Sequence, residues 1–428
     1  MLNLYKNFIK SGVGVILTAV FGLLLLRFIS HEMGVIGIAK FGIYRQFIQF
    51  CTVFISWGNG FSIIESFSKA KDKQHFTSNT FKYFQFVTFA LSIPLILFAK
   101  PISSLLFNES ESSDLILYSP LVFLTLSNYS FFRFIITAKR HLLSAGLLQA
   151  LPFAFMLFFF FIFKDYSRLF ITSYLLSAIV GYFAWRRLSS EDLRIFSTFE
   201  RLTEFEKTSL ATIITGSVGF LSPLIVKSLS AHYLGLELTG VLEAEFSLIS
   251  YLTLAMISGL GTFYLGQVSE RPTDIHFREK TYLFLVPMTA LALTTLIIFQ
   301  SFFVGLLFGT EILQYRPNLS IFAIGELFRC ANWFFIFSMI GLSHRRKYIK
   351  LDVISNIMYI ITSLILVSST RSIESLRLSY LIFQLIYLIL NLRFCLKAKI
   401  ISAKIAFTCL VISLAVLVPV SLGKVFNG

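Results

Sequence analysis

The sequence predicts an all-α integral membrane protein. Twelve core transmembrane helices form two six-helix lobes related by a pseudo-two-fold axis along the membrane normal, and a thirteenth helix follows at the C-terminus. Three observations predict it. Of 428 residues, 56% are hydrophobic and only 14% charged, where a soluble domain carries about a quarter charged residues. Apolar runs of about 18 residues or more, long enough to cross the hydrocarbon core, recur along the whole chain. The chain also resembles itself at an offset of about 200 residues. Helices are the answer to such runs, because a helix satisfies its own backbone polar groups where water cannot reach them.

The runs place spans 1 to 13 at 8–30, 41–64, 81–99, 115–137, 143–163, 169–186, 209–231, 240–264, 281–308, 316–342, 351–369, 375–395 and 403–424. The first run follows Lys6 and Lys10, lacks a small-residue cleavage site and reads as an uncleaved span. With the N-terminus inside, the inner loops are 65–80, 138–142, 187–208, 265–280, 343–350 and 396–402, and Lys and Arg concentrate in them, as the positive-inside rule requires. The net charge of +15 is thus dispersed in short basic clusters between apolar runs, which argues against a nucleic-acid partner.

Four segments follow from these spans. Residues 1–190 form the N-terminal six-helix lobe, 191–208 a cytoplasmic amphipathic linker, 209–395 the C-terminal lobe, and 396–428 the extra transmembrane helix. In the linker, Leu193, Phe196, Phe199, Leu202 and Phe205 recur every three residues between charges, the pattern of a helix lying on the inner surface. The lobes echo each other. Arg27-Phe-Ile-Ser30 resembles Lys227-Ser-Leu-Ser230, Ser104-Leu-Leu-Phe107 resembles Gly305-Leu-Leu-Phe308, and the basic turn Lys139, Arg140, His141 matches His344, Arg345, Arg346. Six spans separate the copies, so both lobes have the same orientation, with a substrate path expected between them.

Ionisable groups inside spans are costly and therefore functional candidates. On span 2, Arg45, Gln49, Thr52, Ser56 and Asn59 step by four, three, four and three residues and share one helix face. That stripe either lines a wet cavity or hydrogen-bonds another helix. Arg27 and Lys227 hold matching places near the outer ends of spans 1 and 7, and Arg133 lies near the inner end of span 4. Each either enters the cavity or snorkels to head groups. Glu243, Ser247 and Ser250 share a face of span 8 while Glu245 points elsewhere, and Glu326 and Arg329 on span 10 are spaced to pair. The first lobe is thus mostly basic and suits an anionic group, since the Arg fork donates two hydrogen bonds to phosphate. The acidic residues of the second lobe are candidates to bind a coupling H+ or Na+ or to gate. Pro94, Pro152, Pro223 and Pro287 offer bend points.

Catalytic and metal motifs are absent from the sequence. There is no Walker A loop and no H-E-x-x-H, and Cys51, Cys330, Cys395 and Cys409 show neither metal-ligand nor redox spacing. No outer loop is large enough for a polysaccharide polymerase. The expectation is a transporter without catalytic residues, metal or cofactor.

Three blocks carry a resemblance to a family: Gly34-x-x-Gly37 through Tyr44-Arg45-Gln46, Gly58-Asn59-Gly60 before an inner loop, and Gly325-Glu326-x-x-Arg329 before a basic turn. They resemble the polysaccharide flippases, of O-antigen translocase and lipid III flippase type, within the multidrug/oligosaccharidyl-lipid/polysaccharide exporter superfamily. The resemblance covers residues 5–395. It implies twelve helices, alternating access, and a polyprenyl-pyrophosphate-linked oligosaccharide moved from the cytoplasmic to the outer leaflet of a bacterial inner membrane. It also implies a polysaccharide polymerase and a chain-length regulator as working partners. By the match Arg45 becomes a cavity cation, and Arg27 and Lys227 follow by span position. A drug exporter of the same superfamily is the alternative. The thirteenth span departs from the twelve-helix pattern.

Overall fold

A computed structural model describes residues 2–56, 58, 60, 63–64, 66–67, 70, 72–139, 141–188, 203–315 and 317–427, and no strand occurs among them. Eleven described helices are long and apolar enough to cross a membrane, and two of these, Val13–Ile55 and Thr212–Leu254, run for 43 residues. A straight helix of that length would be about 65 Å long, roughly twice the thickness of the hydrocarbon core. Each is broken once, at Gly34 (φ 65°, ψ −166°) and at Gly235 (φ 84°, ψ 167°). That backbone region is essentially open to glycine alone. Each long helix therefore holds two spans, and the eleven helices contain the thirteen spans expected. The outer loops placed at 31–40 and 232–239 are corrected accordingly: helix runs up to one glycine and away from it, so a single residue makes the turn.

The internal repeat is visible in local structure. Spans 3 and 9 are the helices Lys73–Leu97 and Ile275–Ile298. Each starts earlier than the hydropathy suggests because an aspartate caps it: Asp72 accepts from His75 N and Asp274 from Phe277 N, both at 2.9 Å. After each comes a nine-residue helix, Ala99–Phe107 and Gln300–Phe308, stopped by a left-handed residue, Asn108 (φ 59°) or Gly309 (φ 81°). The remaining spans are Ser119–Ala138, Leu142–Phe160, Tyr166–Leu188, Ser320–Gly341, Arg345–Thr370, Ile373–Lys397 and Ala403–Asn427. Pro94, Pro152, Pro223 and Pro287 sit inside their helices. The linker pattern at 191–208 falls largely outside the described residues.

By packing, the chain divides into two compact units. The first comprises Ile9–Leu25 and Lys40–His232; the second comprises Met1–Phe8, Leu26–Ala39 and Tyr233–Gly428. This division follows contacts, whereas the lobes above follow chain order. Span 7 belongs to the first unit, and the C-terminal end of span 1 to the second. A physical reason lies in the nine-residue helices. The last carbonyls of a helix lack intrahelical partners, and here residues from the other repeat supply them. Ser228 Oγ and His232 Nε2, at the end of span 7, donate to Leu105 O, the His232 bond being 2.9 Å. Ser30 Oγ, at the end of span 1, donates to Phe308 O at 2.6 Å.

Within the first unit, spans 1 and 5 touch backbone to backbone, since a Cβ on Gly14 would lie 2.1 Å from Gly146 O. Such small-residue contacts let helices pack where apolar burial gives no drive. Within the second unit, span 10 is the core, with Phe334 and Phe335 against Tyr282 at centroid distances of 4.9 and 5.4 Å. The thirteenth helix is tied to span 9 at its start. Buried Arg278 donates to Ile400 O (2.9 Å) and Pro272 O (2.8 Å), and Glu279 accepts from Ser402 N (3.0 Å). A carboxylate at a helix N-terminus is also favoured by the helix dipole.

Candidate transport site

In the first unit span 2 meets span 7 beside its polar stripe. Gln46 Nε2 donates to Phe220 O at 3.0 Å, and Lys227 Nζ to Gly42 O at 3.5 Å. Gly42 and Arg45 are three residues apart on one helix face, so Lys227 brings a second cation to the face that carries Arg45. Arg45 is half-buried over the Phe41 ring, 5.7 Å from its centroid, and Gln49 is exposed. Thr52 and Ser56 bond back along their own helix, to Ile48 O (2.6 Å) and Thr52 O (2.7 Å). Asn59 lies outside the described residues. Arg133 is half-buried above Phe134 (4.7 Å) and Tyr129 (5.7 Å). Arg27 is exposed and makes no hydrogen bond or ion pair among the described residues.

The second unit buries its acids in networks. Glu326 and Arg329 pair at 2.7 Å (Nη1 to Oε1), with Glu326 fully buried and Arg329 19% exposed. Glu326 also accepts from Thr253 Oγ1 at 2.6 Å and from the Tyr380 hydroxyl, and Arg329 reaches Ser250 Oγ at 3.2 Å. Glu243 accepts from Ser247 Oγ at 3.1 Å. Glu245 does point elsewhere: it accepts from Asn318 N (2.8 Å) and takes a two-pronged contact from Arg377 of span 12, whose Nε is 3.0 Å away. Arg377 also reaches Glu374. Thus Glu245 and Glu326 are each neutralised by an arginine, and neither presents an open carboxylate to a cation. No cluster of three or more His, Cys, Asp or Glu with metal-site geometry occurs among the described residues.

Arg377 and Asp352 went unread in the sequence. Both lie within two turns of a predicted span end, where snorkelling is the default reading, although the rule that singles out intramembrane charge covers them. Lys40 was missed for the same reason. Its ammonium is 2.6 Å from Glu109 Oε1 in the connection after the nine-residue helix.

No family profile matches the sequence, and no curated protein matches it. Solved structures do match. One of the lipid II flippase MurJ, in an inward closed conformation, aligns with TM-score 0.69 at 14% identity, covering 98% of this chain and 96% of that one. The fold is that of these transporters. A MATE structure in complex with MaL6 aligns with TM-score 0.65 at 15% identity over 93% of this chain and 95% of that one. A MOP superfamily transporter from Pyrococcus furiosus, described as having a binding pocket of reverse polarity, aligns with TM-score 0.63 at 16% identity over 93% and 95%.

Proposed function

We propose that this chain is a flippase that moves a polyprenyl-pyrophosphate-linked oligosaccharide, an O-antigen or related surface-polysaccharide repeat unit, from the cytoplasmic to the outer leaflet by alternating access. The observation that carries the reading is the pair of cations, Arg45 and Lys227, on one face where spans 2 and 7 meet. Two like charges held together repel, and an anionic ligand relieves that repulsion. A pyrophosphate suits the two-pronged donor of Arg45. The fold supports the transporter class, since full-length likeness runs to a lipid II flippase and to MATE transporters. A cationic drug would be repelled by the same face, which is why the flippase is preferred to a multidrug exporter. The distribution of Lys and Arg supports a cytoplasmic N-terminus, and the family resemblance implies a bacterial inner membrane, with a polysaccharide polymerase and a chain-length regulator as downstream partners.

The test is complementation of surface polysaccharide in a flippase-null strain, with membrane protein level as control. Arg45→Ala is expected to abolish it at normal protein level. Arg45→Lys is expected to restore it in part, keeping charge but losing the fork. Normal polysaccharide from the Ala variant would mean that Arg45 only reaches head groups, and the flippase assignment of this face would fall.

A further inference from the structure

Asp352 differs from Glu245 and Glu326, each of which is paired with an arginine. It lies about two turns into the helix Arg345–Thr370 and is 8% exposed. Among the described residues it has no Lys, Arg or His partner. Its Oδ1 accepts from the Tyr387 hydroxyl at 2.9 Å and from Asn356 Nδ2 at 3.3 Å, both neutral donors. The helices Ile373–Lys397 and Ser320–Gly341 pack against its own. The first presents Tyr387. The second offers the amide Asn332, while its charged pair Glu326 and Arg329 is taken up by itself, Tyr380, Thr253 and Ser250. On its own helix, Tyr348 is close enough to Tyr387 to act on it electrostatically.

The contacts continue as a chain across three helices. Asn391 lies four residues beyond Tyr387 on the same helix, so the two side chains share a face. Asn391 Nδ2 donates to Asn332 Oδ1 at 3.1 Å, and Asn332 Nδ2 donates to Gln384 O (3.1 Å) and Oε1 (3.2 Å). Asn391 is fully buried, and its Oδ1 has no hydrogen-bond partner. A buried acceptor without a donor is rare and calls for an explanation. The network is one hydrogen short. A proton on the Asp352 carboxylate supplies it: the new Asp352 O–H donates to the Tyr387 oxygen, and the Tyr387 hydroxyl hydrogen turns from Asp352 to Asn391 Oδ1. One O–H bond forms on Asp352, no other covalent bond changes, and both the orphan acceptor and the uncompensated buried charge disappear.

We propose that Asp352 is the proton-binding site of this protein, its charge state read by the Tyr387–Asn391–Asn332 chain. As the coupling site of a transport cycle it rests on the transporter reading above; as a proton site it does not. The measurement is infrared difference spectroscopy of the purified full-length chain in lipid nanodiscs between alkaline and acid pH, in potassium buffer. The carboxylic C=O band gained on acidification is expected to be lost in Asp352→Asn and shifted in frequency in Asp352→Glu, which keeps a titrating carboxyl if the Asn variant fails to fold. In Asn391→Leu the band is expected to change frequency, because its hydrogen-bond chain is cut. Persistence of the full wild-type band in Asp352→Asn, or an unshifted band in Asp352→Glu, would overturn the proposal. So would loss of the band on adding sodium chloride at constant acid pH, which would make this a Na+ site. The readout needs no substrate, so its failure leaves the flippase reading standing, and failure of the Arg45 complementation leaves this one standing.

Discussion

Truncating Arg377 strands a carboxylate. Its guanidinium and Glu245 are 2% and 1% exposed, and removing one partner of such a pair leaves a buried charge uncompensated, at a cost of about 3–5 kcal/mol. Arg377→Met is therefore expected to lower the thermal midpoint of the detergent-purified protein sharply. Adding Glu245→Leu should recover most of the loss, short of the Asn318 N–H left without its acceptor. Arg329→Met should cost less, because Arg329 is part-exposed and Glu326 keeps the Thr253 and Tyr380 hydroxyls; equal losses would refute this ranking. Outside the spans, burial pushes the Glu109 carboxyl up, but hydrogen bonds from Lys40 and Ser112 and the Lys40 charge outweigh it and hold the group below the usual carboxylate range. A folded value below the unfolded one of about 4.3 means stability that is complete above that value and lost as pH falls through the folded one. Glu109→Gln should flatten the acid limb of the stability–pH curve in that window and leave its neutral region little changed in slope. Residue roles were legible where spacing alone decides them, as with Glu326 and Arg329. They were not legible where the partner comes from another helix, as Arg377 does for Glu245 across 132 residues.

At the scale of elements, the two helix breaks carry the topology. A Cβ added at Gly34 or Gly235 would meet nothing within 4 Å, so sterics with neighbours predict no penalty for alanine. The backbone predicts one: both residues occupy a region that costs a non-glycine residue about 1–3 kcal/mol. Gly34→Ala and Gly235→Ala are each expected to destabilise by that amount, measured by thermal unfolding. An unchanged midpoint would show that the breaks relax without strain. The thirteen spans were readable because hydropathy needs only composition over about 20 residues. The turns were not. Ten residues containing His31, Glu32, Gly34 and Gly37 look like a loop, and nothing local says that helix resumes at once. The nine-residue helices were likewise hidden, since their last carbonyls are satisfied by Ser30, Ser228 and His232 from the opposite repeat.

For the whole molecule, thirteen crossing spans, an odd number, would put residues 2 and 427 on opposite faces of the membrane. Arg278 and Glu279 hold the start of the last helix against span 9. A C-terminal reporter active only in the cytoplasm should therefore be silent when the N-terminus is cytoplasmic, and an active one would show that the last helix does not cross. The interleaving of the two units has a consequence in time. Ser30 and Phe308 are 278 residues apart in the chain. At about 5–20 residues per second of synthesis, roughly 15–55 s pass between the ribosome's making the first and the second. For that interval the end of the first span sits in the bilayer with Phe308, the eventual partner of Ser30, not yet translated. The nascent first half must be tolerated as an incomplete assembly, and chaperoning or slow insertion at this stage would bear on yield more than on final stability.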